Sequence, residues 1–324
     1  MPGKEQTMDM QLMIRERNPE YFVLDFEGFR EEIIQDLLEV CGNEFIIEKR
    51  DVGKNNGVTL SGISITGPGE TVFPTIYLEK LFEEYRKGKM NIKESVNEIL
   101  RIYASEKAVS GVNMCYLTDF DRVRDKLIFR LINAEKNESL LKEIPHRRFL
   151  DLAVTYTVYI DDVFATAGNV TVRNDLMNKW GVREEELYLL AQKNTPRIKK
   201  PVIRELGEMI AELVDIGEYA DPGEDIFGDN RMKMYVLTNS DRYFGDSIIL
   251  YPDLLKDVHE MMNRDLYLLP SSVHEFIIVP DNGEIGKREL SELVKSVNES
   301  SVDAEDFLSD NIYLYKNGTL DICS

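Results

Sequence analysis

Cysteine is scarce in this 324-residue chain: Cys41, Cys115 and Cys323 stand far apart and in no C-x-x-C pair. That spacing excludes a disulfide framework and predicts a reducing compartment. With only three histidines beside them, nitrogen and sulfur ligands are too few for a structural zinc site, and no cofactor is expected. Long apolar runs are missing as well. No segment approaches the roughly 18–20 apolar residues of a membrane span, and the opening MPGKEQTMDMQLMIRERNPE is charged throughout, without the apolar centre of a signal peptide. The expected location is therefore cytoplasmic, with no membrane partner. Gly53, Gly57 and Gly62 make neither G-x-G-x-x-G nor a Walker loop, which argues against nucleotide binding through a known phosphate loop. Repeats of fixed period are absent, and with them solenoid architectures.

Basic charge is the other shortage. Residues 201–324 hold 26 acidic side chains against 10 basic ones, so most of the net charge of −20 belongs to the second half. Such a field repels phosphate backbones, and direct nucleic-acid binding is not expected. It favours solubility, an unidentified protein partner of basic character, or a surface that imitates nucleic acid. What the chain does have is core material: 43% of its residues are hydrophobic, with 15 Tyr and 14 Phe, the profile of a folded globular protein. Its length exceeds what one core usually serves and points to two lobes.

The pattern of apolar positions predicts an α+β fold, with a mixed sheet and flanking helices in the larger, C-terminal lobe. A tail is expected over 1–20, an N-terminal lobe over 21–135 and the C-terminal lobe over 136–324. Phe29, Ile33, Leu37 and Cys41 recur at helical spacing and Gly42 stops the helix. FIIEKRDV and VTLSGISI flank Asn56-Gly57, a hairpin signal. PTIYLEKLFEEYRKG and NIKESVNEILRIYASEK read as helices. KLIFRLINA, RFLDLAVTYTVYID and NVTVRND read as strands. EEELYLLAQKN reads as a helix, TPRIKKP as a loop and VIRELGEMIAELV as a helix. MYVLTNS and DSIILY read as strands, Pro252 opens a helix, and DLYLLP and EFIIVP are strands. KRELSELVKSV is an amphipathic helix, and NIYLYKNGTLDIC is a hairpin turning at Asn317-Gly318.

The segments KNNGVTLSGISI, PTIYLEKLFEEYRKG, YVLTNS, SIILYPDLL and DLYLLPSSVHEFIIVP resemble a protein family of gut anaerobic bacteria whose function is unassigned. The resemblance spans most of the chain and carries over no activity, cofactor or catalytic residue. VTVRNDLMNKWGVREEELYLLAQKN resembles, more faintly, a second bacterial family of the same standing.

Three groups of residues are candidates for chemistry. Ser271, Ser272, His274 and Glu275 concentrate hydroxyl, imidazole and carboxylate in one loop, the ingredients of a hydrolase if they converge on a pocket. The bland alternative is that Ser272-x-x-Glu275 is a capping box. Asn55 and Asn56 of the hairpin loop, with Lys199, Lys200 and Arg204 of the basic stretch, are candidate ligand contacts. Asp161 and Asp162 offer oxygen ligands of the kind Mg²⁺ takes, against the plainer reading as solvated turn residues. The preferred functional expectation is a non-enzymatic binding protein, with the hydrolase and the acidic imitation of nucleic acid as alternatives.

Overall fold

The computed structural model describes residues 23–68, 75–107, 117–160, 168–213, 233–283 and 286–323. The expected tail over 1–20 and the metal candidates Asp161 and Asp162 lie outside them. By packing, the chain divides into two compact units, one of residues 1–53 and 59–112, the other of 54–58 and 113–324. Leu117, Val123, Leu127, Phe129 and Leu131 share one core with residues as distant as Tyr313.

In the first unit, helix α1 (Phe26–Cys41) starts where the Asp25 side chain accepts the Gly28 N–H at 2.8 Å, a standard N-cap. Phe29, Ile33 and Leu37 are buried at the expected four-residue spacing, and Gly42 ends the helix at φ 79°. Strands β1 (Ile46–Gly53), β2 (Thr59–Thr66) and β3 (Thr75–Tyr77) form an antiparallel sheet. Helices α2 (Glu79–Arg86) and α3 (Ile92–Lys107) complete the unit. The sequence predicts helix through Thr75–Tyr77, but Ile76 pairs with Ile63 and is buried in the sheet. Tertiary pairing overrides local propensity here. A Cβ on Gly62 would stand 2.3 Å from the Ile76 carbonyl oxygen, so this close pairing requires glycine.

In the second unit a short helix, α4 (Phe120–Val123), is followed by strand β4 (Leu127–Asn133) and the turn helix α5 (Glu138–Leu141). Strands β5 (His146–Phe149), β6 (Leu152–Ile160) and β7 (Gly168–Thr171) join β4 in one sheet, with β6 central. Helices α6 (Asn174–Trp180) and α7 (Glu184–Ile198) come next, then strand β8 (Pro201–Glu205) and helix α8 (Leu206–Leu213). Strand β9 (Tyr235–Asn239) and helix α9 (Leu254–Met262) precede the hairpin of β10 (Leu266–Ser272) and β11 (Glu275–Pro280). Helix α10 (Lys287–Ser301) and the hairpin of β12 (Ile312–Lys316) and β13 (Thr319–Cys323) end the described chain. The second sheet has the order β13-β12-β10-β11-β9-β8. All strand pairings among the described residues are antiparallel, which narrows the mixed sheet expected from the sequence.

Side-chain alternation along β10 builds two cores. Leu266 and Leu268 join the main core with Phe129, Tyr156 and Ile248, while Tyr267 and Leu269 face Leu290 and Val294 of α10. Three expectations change in this unit. Helix α7 runs through TPRI to Ile198 despite Pro196, because Thr195 is fixed inside: its Oγ1 donates to the Ala191 carbonyl and accepts the Phe129 N–H. Val202 and Ile203 lie in a strand paired with β9 rather than in a helix. Asp246–Leu250 forms a 3₁₀ helix burying Ile248 and Ile249 rather than a strand, since a short apolar run fits either state.

Candidate functional site

The loop from Asn239 to Asp246 in the second unit is held in an unusual shape. Arg242 and Phe244 have φ values of 52° and 54°, left-handed conformations that side chains other than glycine rarely adopt. Asn239 sustains them: its side-chain amide donates to the carbonyls of Tyr243 and Phe244, each at 3.1 Å, and its oxygen accepts the Asp241 N–H at 2.9 Å. Gly245 then passes under the β10–β11 turn, where a Cβ would stand 2.3 Å from the His274 carbonyl oxygen. Strain persists only where the surroundings over-determine it, and such places are where binding and switching sites are found.

What the loop displays is aromatic. Tyr243, 51% exposed, stacks on the His274 ring with centroids 5.0 Å apart and planes 24° apart, and Phe244 leans on the same ring at 5.5 Å. The Arg130 guanidinium lies 3.3 Å from the Phe244 ring centre, and its Nε donates to Asp246 Oδ2 at 2.9 Å. Asp246 is fully buried and takes the Leu131 N–H on its other oxygen at 3.0 Å. Burial raises the Asp246 carboxyl above its ordinary value, and Arg130 with the Leu131 N–H opposes the rise. Burial likewise raises the Tyr243 phenol; Arg130 opposes it, Asp306 and Glu305 add to it.

His274 is occupied on both sides. Its Nδ1 accepts the Phe244 N–H at 3.1 Å, which leaves the ring proton of the neutral imidazole on Nε2, facing Asp306 Oδ1 at 3.4 Å. Its backbone is tied as well, the carbonyl accepting Thr238 Oγ1 and the Gly245 N–H. The Ser272 hydroxyl accepts the His274 N–H at 3.0 Å. Ser272 therefore closes a turn between strands, and no helix follows for Ser272 and Glu275 to box. Ser271 sits where the β10–β11 register shifts, and Glu275 opens β11 opposite Ser272.

The basic stretch and the hairpin loop serve the same region. Lys199, only 4% exposed, pairs through Nζ with Asp241 and lies 4.7 Å from the Tyr159 ring centre. The Lys200 carbonyl accepts the Ser240 N–H at 2.8 Å, so both residues fix the start of the aromatic loop. Arg204 stands in β8 opposite Val236. Asn56, at φ 60°, donates its side-chain amide to the carbonyls of Ala304 and Phe307 and exchanges hydrogen bonds with Asn137. Asn55 donates to the Glu305 carbonyl at 2.8 Å, leaving its own buried side-chain oxygen without a partner. These amides anchor the segment that carries Glu305 and Asp306, which Val273 also grips by donating its N–H to the Asp306 carbonyl.

Sequence reasoning does not single out Arg130, Tyr243, Asp246 or Asp306. A signal exists for one of them: Tyr243-Phe244 is an aromatic pair inside the turn-rich stretch Ser240–Gly245, where exposure is the rule. Among the described residues there is no cluster of three or more His, Cys, Asp or Glu placed to hold a metal ion. No helix among them is long and apolar enough to cross a membrane.

Several curated proteins match part of the chain. It is 27% identical over 143 residues to the adenylosuccinate synthetase of Lactobacillus johnsonii, covering 43% of this chain and 33% of that one. The adenylosuccinate synthetase of Lactobacillus gasseri is 27% identical over 144 residues, with the same coverage. That of Limosilactobacillus reuteri is 31% identical over 114 residues, covering 33% of this chain and 26% of the relative. The chain thus spans about a third or less of the length of these relatives. No solved structure matches. A family profile matches residues 26–317, nearly the whole chain, and by that match the protein belongs to the family of unknown function DUF5688.

Proposed function

We propose that this chain is a non-catalytic binding protein that receives a cationic group of a partner protein on the Tyr243 ring, within the field of the Glu305 and Asp306 carboxylates. The observation that carries the reading is the half-exposed Tyr243 ring, laid on His274 by a loop with two left-handed non-glycine residues. An aromatic face attracts a lysine or arginine head group by about 0.5–2 kcal/mol, and nearby carboxylates add attraction and steering. The acidic excess of residues 201–324 supports a partner of that sign.

A hydrolase built on Ser271, Ser272, His274 and Glu275 would need a ring nitrogen open to substrate, and Nδ1 is taken by the Phe244 N–H. The imitation of nucleic acid rests on net charge alone. The partial likeness to adenylosuccinate synthetases lends no nucleotide chemistry, because the chain lacks a glycine-rich phosphate loop.

The test is calorimetric titration with hexalysine and hexaglutamate on the wild type, Tyr243→Ala and Asp306→Asn, each checked for folding by circular dichroism. Hexalysine binds the wild type and hexaglutamate does not. Tyr243→Ala, which leaves the net charge unchanged, weakens hexalysine binding by between about 2-fold and 30-fold. Equal affinity of Tyr243→Ala and wild type overturns the reading.

A further inference from the structure

A cleft elsewhere in the same unit is lined by charges of both signs. Between β5 and β6 the chain turns at Leu150, with φ 55°, and Asp151 follows, lining a cleft of about 650 Å³. The Asp151 carboxylate accepts three hydrogen bonds: from Ser309 Oγ at 2.5 Å, Asn311 Nδ2 at 3.0 Å and Tyr313 OH at 2.8 Å. Asn133 is spent too, donating to the Leu308 carbonyl and accepting the Lys136 N–H. Ser309 Oγ, besides donating, accepts the Asn311 N–H at 2.9 Å. These polar groups shape the cleft and have little capacity left for a ligand.

Two lining residues have that capacity. Lys136 is exposed, and its Nζ is steadied 3.5 Å from the Phe307 ring centre. Arg148 is exposed on β5. Among the described residues neither pairs with a carboxylate, in a chain with 59 acidic side chains. Of the acidic residues in the lining, Asp310 accepts the Asn298 amide at 2.8 Å and Glu135 stands exposed. Three carboxylates, Glu135, Asp151 and Asp310, share the lining with these two cations. A small ligand with a single oxyanion group set against Lys136 and Arg148 therefore fits better than a polyanion, which the carboxylates would repel. Arg148 suits two-point pairing with such a group and Lys136 supplies a point charge beside it.

We infer that this cleft binds a small molecule through one oxyanion group, a carboxylate or a phosphate, held by Lys136 and Arg148. The inference is independent of the cation-binding face, and its test separates the two. Backbone amide NMR of the full chain is followed during titration with inorganic phosphate and, separately, with succinate. Saturable shifts confined to the surroundings of residues 133–151 and 307–311 are expected for at least one probe, with Kd on the order of 1 mM or tighter. Saturation by phosphate alone assigns a phosphoryl ligand, and by succinate alone a carboxylate ligand. The double variant Lys136→Gln with Arg148→Gln weakens binding at least about 10-fold while keeping the wild-type spectrum elsewhere. Lys295→Gln, an exposed charge change outside the cleft, and Tyr243→Ala leave it unaltered. Absence of saturable binding by either probe, or undiminished binding in the double variant, overturns the inference.

Discussion

Gly245 is the narrowest point under the aromatic loop. A methyl group there would meet the His274 carbonyl oxygen at 2.3 Å and Thr238 Oγ1 at 2.5 Å, and the two are hydrogen-bonded to each other. Gly245→Ala is expected to lower stability by about 1–3 kcal/mol, as overpacking does, and to loosen Tyr243 from His274. Urea unfolding measures the first effect, and the Tyr243 ring resonances report the second. Glu275 makes a pH-dependent contribution of definite sign. Burial raises its carboxyl above the ordinary value, against a smaller opposing effect of His274. The folded state therefore holds the Glu275 proton more tightly than the unfolded chain. The resulting stabilisation is fully present below the unfolded pKa of about 4.3 and is lost as pH rises through the folded pKa. Glu275→Gln removes the cost of burying the charge, so it is expected to be more stable than wild type at neutral pH and to lose that advantage on acidification. Unfolding midpoints of both proteins across this range check the trend, and an advantage that grew as pH fell would contradict it.

Among the elements, the short segment Lys54–Val58 shows how one turn can serve two purposes. Asn56-Gly57 reads from the sequence as the turn of a hairpin, and both residues do have positive φ, 60° and 71°. Unreadable is the use of the Asn56 amide to pin Ala304 and Phe307, about 250 positions away. Two substitutions separate these roles. Asn56→Gly retains the backbone shape and loses the amide, whereas Asn56→Ala loses both and is expected to be less stable than Asn56→Gly by about 1–2 kcal/mol. Chemical denaturation of the pair gives the difference directly. Helix α10 was legible from Lys287 to Val297, because Leu290 and Val294 recur at helical spacing and both are buried, and it continues to Ser301. Truncating Leu290→Ala should cost about 2–5 kcal/mol in the same assay, since it opens a void against Tyr267 and Leu269. The elements that sequence reading assigned differently share one cause. Thr75–Tyr77 and Pro201–Glu205 are short and take their conformation from the strand beside them, while 3₁₀ or strand geometry in Asp246–Leu250 depends on what covers Ile248 and Ile249.

For the whole molecule the governing quantity is a net charge of −20. Self-repulsion of that size opposes compaction, and salt screens it over a Debye length of about 10 Å at 0.1 M. Thermal unfolding is therefore expected at a higher temperature in about 0.5 M sodium chloride than in about 10 mM, a comparison that differential scanning calorimetry makes directly; a fall would show that ion pairs such as Lys199 with Asp241 outweigh the repulsion. Sequence by itself determined the α+β class, most helices and strands, the two hairpin turns and the sign of the net charge. Each depends on spacing within a few residues or on composition, which a linear reading contains. Only the tertiary structure decided which polar groups meet. Arg130 and Asp246 are 116 positions apart, and His274 and Asp306 sit in separate turns. Such encounters depend on how two sheets close over a common core, and that closure is a property of the whole packed unit and of no local pattern.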